Sequence, residues 1–281
     1  MSLFVLLQHF TPRLALTRLG GLVAQARAGA MTTAIIRSFV RRYGVDMAEA
    51  AQPDISQYDS FNAFFTRALK PDARPLAEAG VLCPVDGAVS QMGAIEGDFI
   101  FQAKGHRYTT RALLGGDATL AQAFQNGQFA TIYLSPRDYH RIHMPHAGRL
   151  RRMIHVPGDL YSVNPQTVAS VPGLFARNER LVCEFETPQG LPFVMVLVGA
   201  TIVGSMATVW HGVVNPPRPG LVRQWHYEPG EHTLQAGSEM GRFLLGSTVV
   251  LLWPEQAVQL HAWQPGQAVR MGQAMGEWRT T

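Results

Sequence analysis

Phe243-Leu244-Leu245-Gly246-Ser247-Thr248-Val249-Val250-Leu251-Leu252-Trp253 is apolar at every position but the central Gly-Ser-Thr, with no polar residue recurring at every second place. Such a short, β-branched run reads as a strand covered on both faces. Val249–Trp253 is therefore expected to be an interior strand, paired on both sides. Glycine inside a strand-like run marks a bulge or a close backbone approach, and here it directly precedes a hydroxyl. Further β-rich runs bounded by Gly, Pro and Asp lie at 80–95, 129–134, 150–156, 181–185, 193–198, 201–209 and 257–263. Pro188-Gln189-Gly190 joins two of them as a hairpin loop does. Helical patterns are confined to residues 1–45, 61–69, 109–114 and 119–126. The class is α+β, a β-rich body of mostly antiparallel strands with a helical segment at its N-terminus.

Apolar residues make up 47% of the 281-residue chain and charged ones 16%, a globular composition. The net charge is +4 and unevenly placed. Residues 1–45 hold six arginines (Arg13, Arg18, Arg27, Arg37, Arg41, Arg42) and no carboxylate, which leaves 18 of the 24 basic side chains facing all 20 acidic ones elsewhere. A basic head on a near-neutral body points to an anionic surface and away from nucleic acid. Thr11-Pro12 reads as a helix cap followed by proline at the first helical position. Ile36, Phe39, Val40 and Tyr43 fall at helical spacing, with Arg37, Arg41 and Arg42 off that stripe. Residues 46–60 turn polar and acidic, a linker pattern. The expected division is a helical, membrane-associating segment over 1–58 and a catalytic domain over 59–281. Cys83 and Cys183 lack CxxC spacing, which argues against a disulfide framework and fits a reducing compartment. Leu3 to Leu7 is too short for a signal-peptide core, and no run reaches the ~18 apolar residues of a membrane span.

The Gly246-Ser247 step carries a specific chemistry. A serine Oγ can attack the carbonyl of its own preceding residue and convert the amide to an ester. Elimination then leaves a dehydroalanine, which hydrolyses with loss of ammonia to a pyruvoyl group capping the new chain. That group is an electrophilic ketone no encoded side chain supplies. Gly-Ser is a common dipeptide, so the reading needs a base and a group to orient it. The stretch Tyr133-Leu134-Ser135-Pro136-Arg137-Asp138-Tyr139-His140-Arg141-Ile142-His143-Met144-Pro145-His146 offers the histidines. Its HxxHxxH spacing matches no common zinc pattern. One histidine is expected as base for Ser247 and another to work on substrate. Asp86, in Cys83-Pro84-Val85-Asp86-Gly87, is the carboxylate available to orient the base. An Asp-Gly pair is otherwise an ordinary turn signal.

Taken in order, Phe61-Asn62-Ala63-Phe64-Phe65-Thr66-Arg67, Val85-Asp86-Gly87, Phe101-Gln102-Ala103-Lys104-Gly105-His106, Tyr133–Pro145, Ser162-Val163-Asn164-Pro165 and Leu245-Gly246-Ser247-Thr248 resemble the bacterial phosphatidylserine decarboxylase proenzymes. The resemblance implies a covalent pyruvoyl cofactor derived from Ser247 and a scissile bond between Gly246 and Ser247. It implies Asp86, His143 and Ser247 as the self-cleavage triad and a part for His140 in decarboxylation. The interior strand Val249–Trp253, paired on both sides, is expected to keep fragments 1–246 and 247–281 associated, and the resemblance also implies phosphatidylserine as substrate. Together with the basic N-terminus it places the chain peripherally on the cytoplasmic face of the cell membrane, and a homodimer is compatible with it. Lys104, Arg137 and Arg141 are the candidates for holding the phosphate.

Three other classes were weighed. Pro84–Gly87 and Gly266–Gln273 resemble the halves of a lipoyl- or biotinyl-like module, but such a carrier needs a lysine at an exposed hairpin tip, where neither Lys70 nor Lys104 is expected. A pyruvoyl decarboxylase of a soluble amino acid would share the chemistry without needing the basic N-terminus. A hydrolase keeping Ser247 as nucleophile would leave the mature chain intact.

Overall fold

Strands dominate because the apolar runs are short, β-branched and cut by Gly, Pro and Asp. The computed structural model describes residues 13–201, 205–216, 220–244 and 247–279. In chain order its strands are β1 (Val81–Leu82), β2 (Gly87–Ala94), β3 (Phe99–Ala103), β4 (His106–Thr109), β5 (Gln128–Leu134), β6 (Arg141–His143), β7 (Gly148–Val156), β8 (Arg180–Glu186) and β9 (Pro192–Val198). They continue as β10 (Met206–Thr208), β11 (Gly212–Val213), β12 (Arg223–His226), β13 (Thr233–Leu234), β14 (Glu239–Phe243), β15 (Ser247–Trp253), β16 (Val258–Leu260), β17 (Ala268–Val269) and β18 (Ala274–Trp278). The helices are α1 (Arg13–Gln25), α2 (Ala30–Tyr43), α3 (Phe61–Phe65), α4 (Thr110–Leu113), α5 (Ala118–Gln122), α6 (Pro165–Val168) and α7 (Leu174–Arg177).

The main sheet runs β12-β7-β8-β9-β15-β5-β2-β17, with β13 also on β7, and all its pairings are antiparallel. β15 lies inside it, between β5 and β9. Every β15 residue is buried, and the pleat sends alternate side chains into different cores. Val249, Leu251 and Trp253 enter one, while Val250 and Leu252 enter the other. A smaller sheet, β11-β10-β14-β6, contributes Met206, Met240, Phe243 and Ile142 to the first core. The apolar run 243–253 is thus not one strand. Phe243 closes β14 in the small sheet and Ser247 opens β15 in the large one.

Most strand runs appear as expected, lengthened or shortened by a residue or two at their ends, but 257–263 is strand only over Val258–Leu260, and the helical runs 61–69 and 119–126 are α-helix only over Phe61–Phe65 and Ala118–Gln122. The 80–95 run is broken at 83–86, and of 201–209 only Met206–Thr208 is strand among the described residues. The Thr187–Leu191 turn joins β8 to β9 as expected. Thr11-Pro12 lies outside the described residues. Ile36 of α2 is fully buried against Phe64 and Phe65, whereas Arg37, Arg41 and Arg42 are exposed. Residues 46–60 are more than a linker. Ala50 is fully buried and bridges Leu69, and Glu49 forms ion pairs with Arg74 and Arg270, so the segment is strapped to the body. No helix among the described residues is long and apolar enough to cross a membrane.

Candidate active site

Ser247 is the first residue of β15 and is 1% exposed. By pleat parity its side chain belongs to the face that Val249 and Leu251 occupy, the face capped by the small sheet. Its Oγ has no hydrogen-bond partner. A buried hydroxyl is normally satisfied, and one that is not is a functional candidate. Leu245 and Gly246 lie outside the described residues. Across the ladder Ser247 pairs with Leu134, and the chain after Leu134 is the loop that carries His140 and leads into β6, which ends at His143.

Both histidines have a fixed tautomer. His140 Nδ1 donates to the Asp138 carbonyl (2.8 Å), which leaves Nε2 as a bare lone pair, buried and without a partner. The ring is fully buried and packs on Phe65, centroids 4.0 Å apart. Burial, helped by the Arg67 charge and opposed by the Asp138 hydrogen bond, pushes its pKa down to about 3. The proton donor expected at His140 is therefore unprotonated here. His143 Nδ1 donates to the Gly237 carbonyl (2.7 Å), and its Nε2 accepts from the Tyr139 hydroxyl (3.0 Å). Burial lowers its pKa, while the Gly237 bond and the charges of Glu239 and Asp86 oppose the fall.

Asp86 is 7% exposed, and its carboxylate is held by Arg74 through Nε (2.9 and 3.1 Å) and Nη2 (2.5 Å) and by the Met271 amide (2.9 Å). Arg74 Nη2 also reaches Glu49 at 2.8 Å. Among the described hydrogen bonds none joins Asp86 to His143, whose tautomer is set by Gly237. Asp86 acts on His143 through its charge. The glycine that follows is a close-approach residue: a Cβ on Gly87 would lie 2.3 Å from the Tyr133 carbonyl oxygen. It lets β2 close on β5 beside the loop, so Asp86-Gly87 is not merely a turn.

A cleft of about 570 Å³ runs along this region, bounded by Asp86, Tyr133, Ser135, Asp138 and Tyr139 and by Arg67, Arg74, Arg137 and Arg270. Ser247 does not line it, but Tyr133 and Ser135 flank Leu134, its ladder partner. Of the expected phosphate ligands only Arg137 borders the cleft. Arg141 is committed to the Thr66 carbonyl and Glu239. Lys104, with φ 47°, sits at the exposed two-residue turn between β3 and β4. That is a hairpin tip after all, a correction to the argument against a carrier; the missing methionine flanks still separate it from a carrier lysine. β17 does pair with β2, as the module-like halves suggest.

Several of the motifs prove structural. Phe65 backs His140, and the Thr66 carbonyl holds Arg141. Buried Gln102 ties its hairpin to the carbonyls of Val168 and Val171 and to the Leu174 amide. Asn164 caps α6 through the Thr167 amide. Sequence reasoning gave no role to Arg67, Arg74 or Glu49. Arg67 was visible in the Phe61–Arg67 motif, whereas Arg74 and Glu49 stand in no pattern.

An antiparallel body with a buried, unpartnered serine behind a histidine-bearing loop is the setting for the comparisons with known proteins. The phosphatidylserine decarboxylase family profile matches residues 61–277, and a second profile, described as PSD, matches 3–44. The phosphatidylserine decarboxylase proenzyme of Methylibium petroleiphilum is 69% identical over 272 residues, 96% of each chain. Those of Azoarcus sp. and Acidovorax ebreus are 66% identical over 276 residues (98% of this chain, 96% of the relative) and 68% identical over 272 (96% of each). The chain belongs to the phosphatidylserine decarboxylase family. It is a decarboxylase.

The histidine environments set an acid response. Because the folded pKa of His140 is depressed to about 3 from an ordinary 6.5, the unfolded chain binds a proton that the folded chain refuses between those values. Stability from this source is complete above about pH 6.5 and is lost as pH falls toward 3. Urea midpoints should drop between about pH 7 and about pH 5, and drop less in His140→Gln. An identical pH dependence in both chains would contradict the assignment.

Proposed function

We propose that the chain is a self-cleaving proenzyme: its backbone breaks between Gly246 and Ser247, and the pyruvoyl group left at residue 247 converts phosphatidylserine to phosphatidylethanolamine. The observation that carries this reading is the Ser247 Oγ, fully buried and unpartnered at the first position of an interior strand. The site fits the group. It has a serine free to react, a His143 imidazole whose Nε2 holds only an exchangeable hydroxyl bond, a neutral His140 with a bare Nε2 for the substrate step, and a water-poor core in front of the strand.

In maturation His143 takes the Ser247 proton at Nε2, exchanging its bond from Tyr139 for one from Ser247, while the Gly237 carbonyl keeps Nδ1 protonated. Asp86 stabilises the imidazolium through its charge. After cleavage residues 247–281 stay bound to 1–246 because β15 is laddered to β5 and β9 on both edges. A pyruvoyl group at residue 247, held in place by the β15 ladders, would supply an electrophilic ketone for the substrate amine and an electron sink for decarboxylation. His140 delivers a proton to the carbon that loses carboxylate. It acquires that proton in the loaded site, where the anionic head group opposes burial and the Arg67 charge.

The N-terminal helices supply the membrane contact, peripherally and from the cytoplasmic side. Leu19, Leu22, Val23, Met31 and Ile35 are exposed apolar side chains on α1 and α2, and Arg37, Arg41 and Arg42 are exposed beside them. Apolar groups embed in the interface and arginines draw toward anionic lipid, each adding about 1 kcal/mol.

Denaturing mass spectrometry should show fragments of about 27 and 4 kDa, at ~110 Da per residue, the smaller lighter by one ammonia than a serine-started peptide. Asp86→Ala and His143→Ala should remain intact, whereas His140→Ala should cleave and lose most turnover. A single intact chain with full decarboxylase activity would rule out the pyruvoyl reading; normal maturation of His143→Ala with none in His140→Ala would reverse the two roles.

Liposome sedimentation tests the surface. Binding should be stronger to anionic than to neutral vesicles and weaken with salt, because the Debye length is about 8 Å at physiological strength. Replacing Arg37, Arg41 and Arg42 by Gln should reduce it without stopping cleavage. Equal binding to both vesicle types, unmoved by that change, would assign the basic head another task.

A further inference from the structure

Three arginines among the described residues are buried, and two are fully answered. Arg74 meets two carboxylates, and Arg180 donates to the carbonyls of Leu113, Asn178 and Ala112. Arg67 is 5% exposed, yet among the described residues its one hydrogen bond is to the Arg137 carbonyl at 3.3 Å. Its Nε is buried without a partner, and no ion pair among the described residues includes it. Guanidinium charge in low dielectric needs either an anion or a full set of acceptors. Arg67 has neither, only the face of the Phe64 ring 5.4 Å away, and it lines the cleft.

We propose that Arg67 is the seat of an anion subsite in the cleft and that its ligand is the phosphodiester of the substrate head group. The inference rests on the substrate reading above and adds the residue that recognises its phosphate. A phosphodiester oxygen pair matches the fork of guanidinium N–H groups in a way a lysine could not. The local acids do not compete for the place. Glu49 and Asp86 are held by Arg74, Asp138 accepts from the Ser135 amide with its carboxyl pushed above the ordinary range by burial, and Asp46 is exposed and accepts from the Ala48 amide. Arg137 borders the same cleft with its side chain 66% exposed and only a 3.8 Å approach to Asp138, so it is free to close on the ligand from the mouth. Tyr133 and Ser135, on the cleft wall, flank the ladder partner of Ser247. A phosphate on Arg67 thus lies along the wall behind which the reacting amine must be delivered. Filling the subsite also offsets the Arg67 charge that disfavours a proton on His140, so substrate binding itself favours the protonated acid.

The test uses the uncleaved Ser247→Ala chain, so its outcome does not depend on cofactor formation. Calorimetric titration with glycerophosphoserine, inorganic phosphate and free serine should give tightest binding for the diester. Adding Arg67→Gln should weaken the diester by about 10- to 100-fold, the loss expected for hydrogen bonds to a charged group, with serine binding unmoved. Arg67→Lys should fall between, keeping charge without the fork. In the cleaving background, intact mass should show Arg67→Gln still maturing, with its KM for short-chain phosphatidylserine raised. Should Arg67→Gln not fold, the Arg67 Nε–H resonance of ¹⁵N-arginine-labelled Ser247→Ala chain, assigned with the lysine variant, must shift on saturation with the diester. Diester binding that is absent, or unchanged by Arg67→Gln, overturns the proposal. Tighter binding of inorganic phosphate than of the diester overturns the head-group assignment. A chain that matures normally but loses the diester separates this subsite from the self-cleavage reading, which intact mass tests alone.

Discussion

The double pairing of the strand Ser247–Trp253, to β5 on one edge and β9 on the other, is the constraint on which the rest depends. A peptide bond can be broken immediately before a strand without loss of the fold only if the strand is held by something other than chain continuity. Here it is held by two ladders and by side chains entering cores on both sheet faces. A residue at the start of such a strand is fixed in position, shielded from water and adjacent to whatever the neighbouring strand delivers. β5 delivers the His140 loop and, beyond it, the β6 strand that ends at His143, because Leu134, opposite Ser247, is its last residue.

Charge is handled around this centre by separate devices. Arg74 and the Met271 amide hold Asp86, and Met271 belongs to the segment that follows the expected cleavage point, so that carboxylate stitches the two sides together. Glu49 ties Arg74 to the strap that leads from the basic helices. Arg67 is left with its charge largely unanswered, and nearby His140 is neutral in consequence of burial and that charge. The cleft thus balances four arginines against four carboxylates, with Arg67 as the cation that no carboxylate among the described residues pairs, and the imidazole beside it is proton-poor, an arrangement suited to an anionic substrate.

Much of the fold was legible because its signal is local. A short, largely apolar, β-branched run bounded by turn residues reads as a buried strand, and β5, β8, β9 and β15 follow from that pattern with ends displaced by a residue or two. The break between Phe243 and Ser247 was not legible: the same hydrophobicity serves two sheets, and nothing local says that the chain changes sheet. β12 and β13 are short and partly exposed, so their composition does not separate them from loop. At the site, Ser247, His140, His143 and Asp86 were named from reactive residue types and a family resemblance, but their partners were not. A carbonyl such as Gly237 or a tyrosine hydroxyl carries no sequence signature as a hydrogen-bond partner. Arg74 and Glu49 matter through contacts between segments distant in sequence, which only the folded chain reveals.

Reductive trapping tests the central claim most directly. The purified protein is treated with cyanoborohydride in the presence of short-chain phosphatidylserine, digested, and mapped by tandem mass spectrometry. The account predicts a lipid-derived adduct on the first residue of the fragment that begins at 247, and on no other residue. An adduct elsewhere in the chain, or full turnover with residue 247 recovered as unmodified serine, would contradict it.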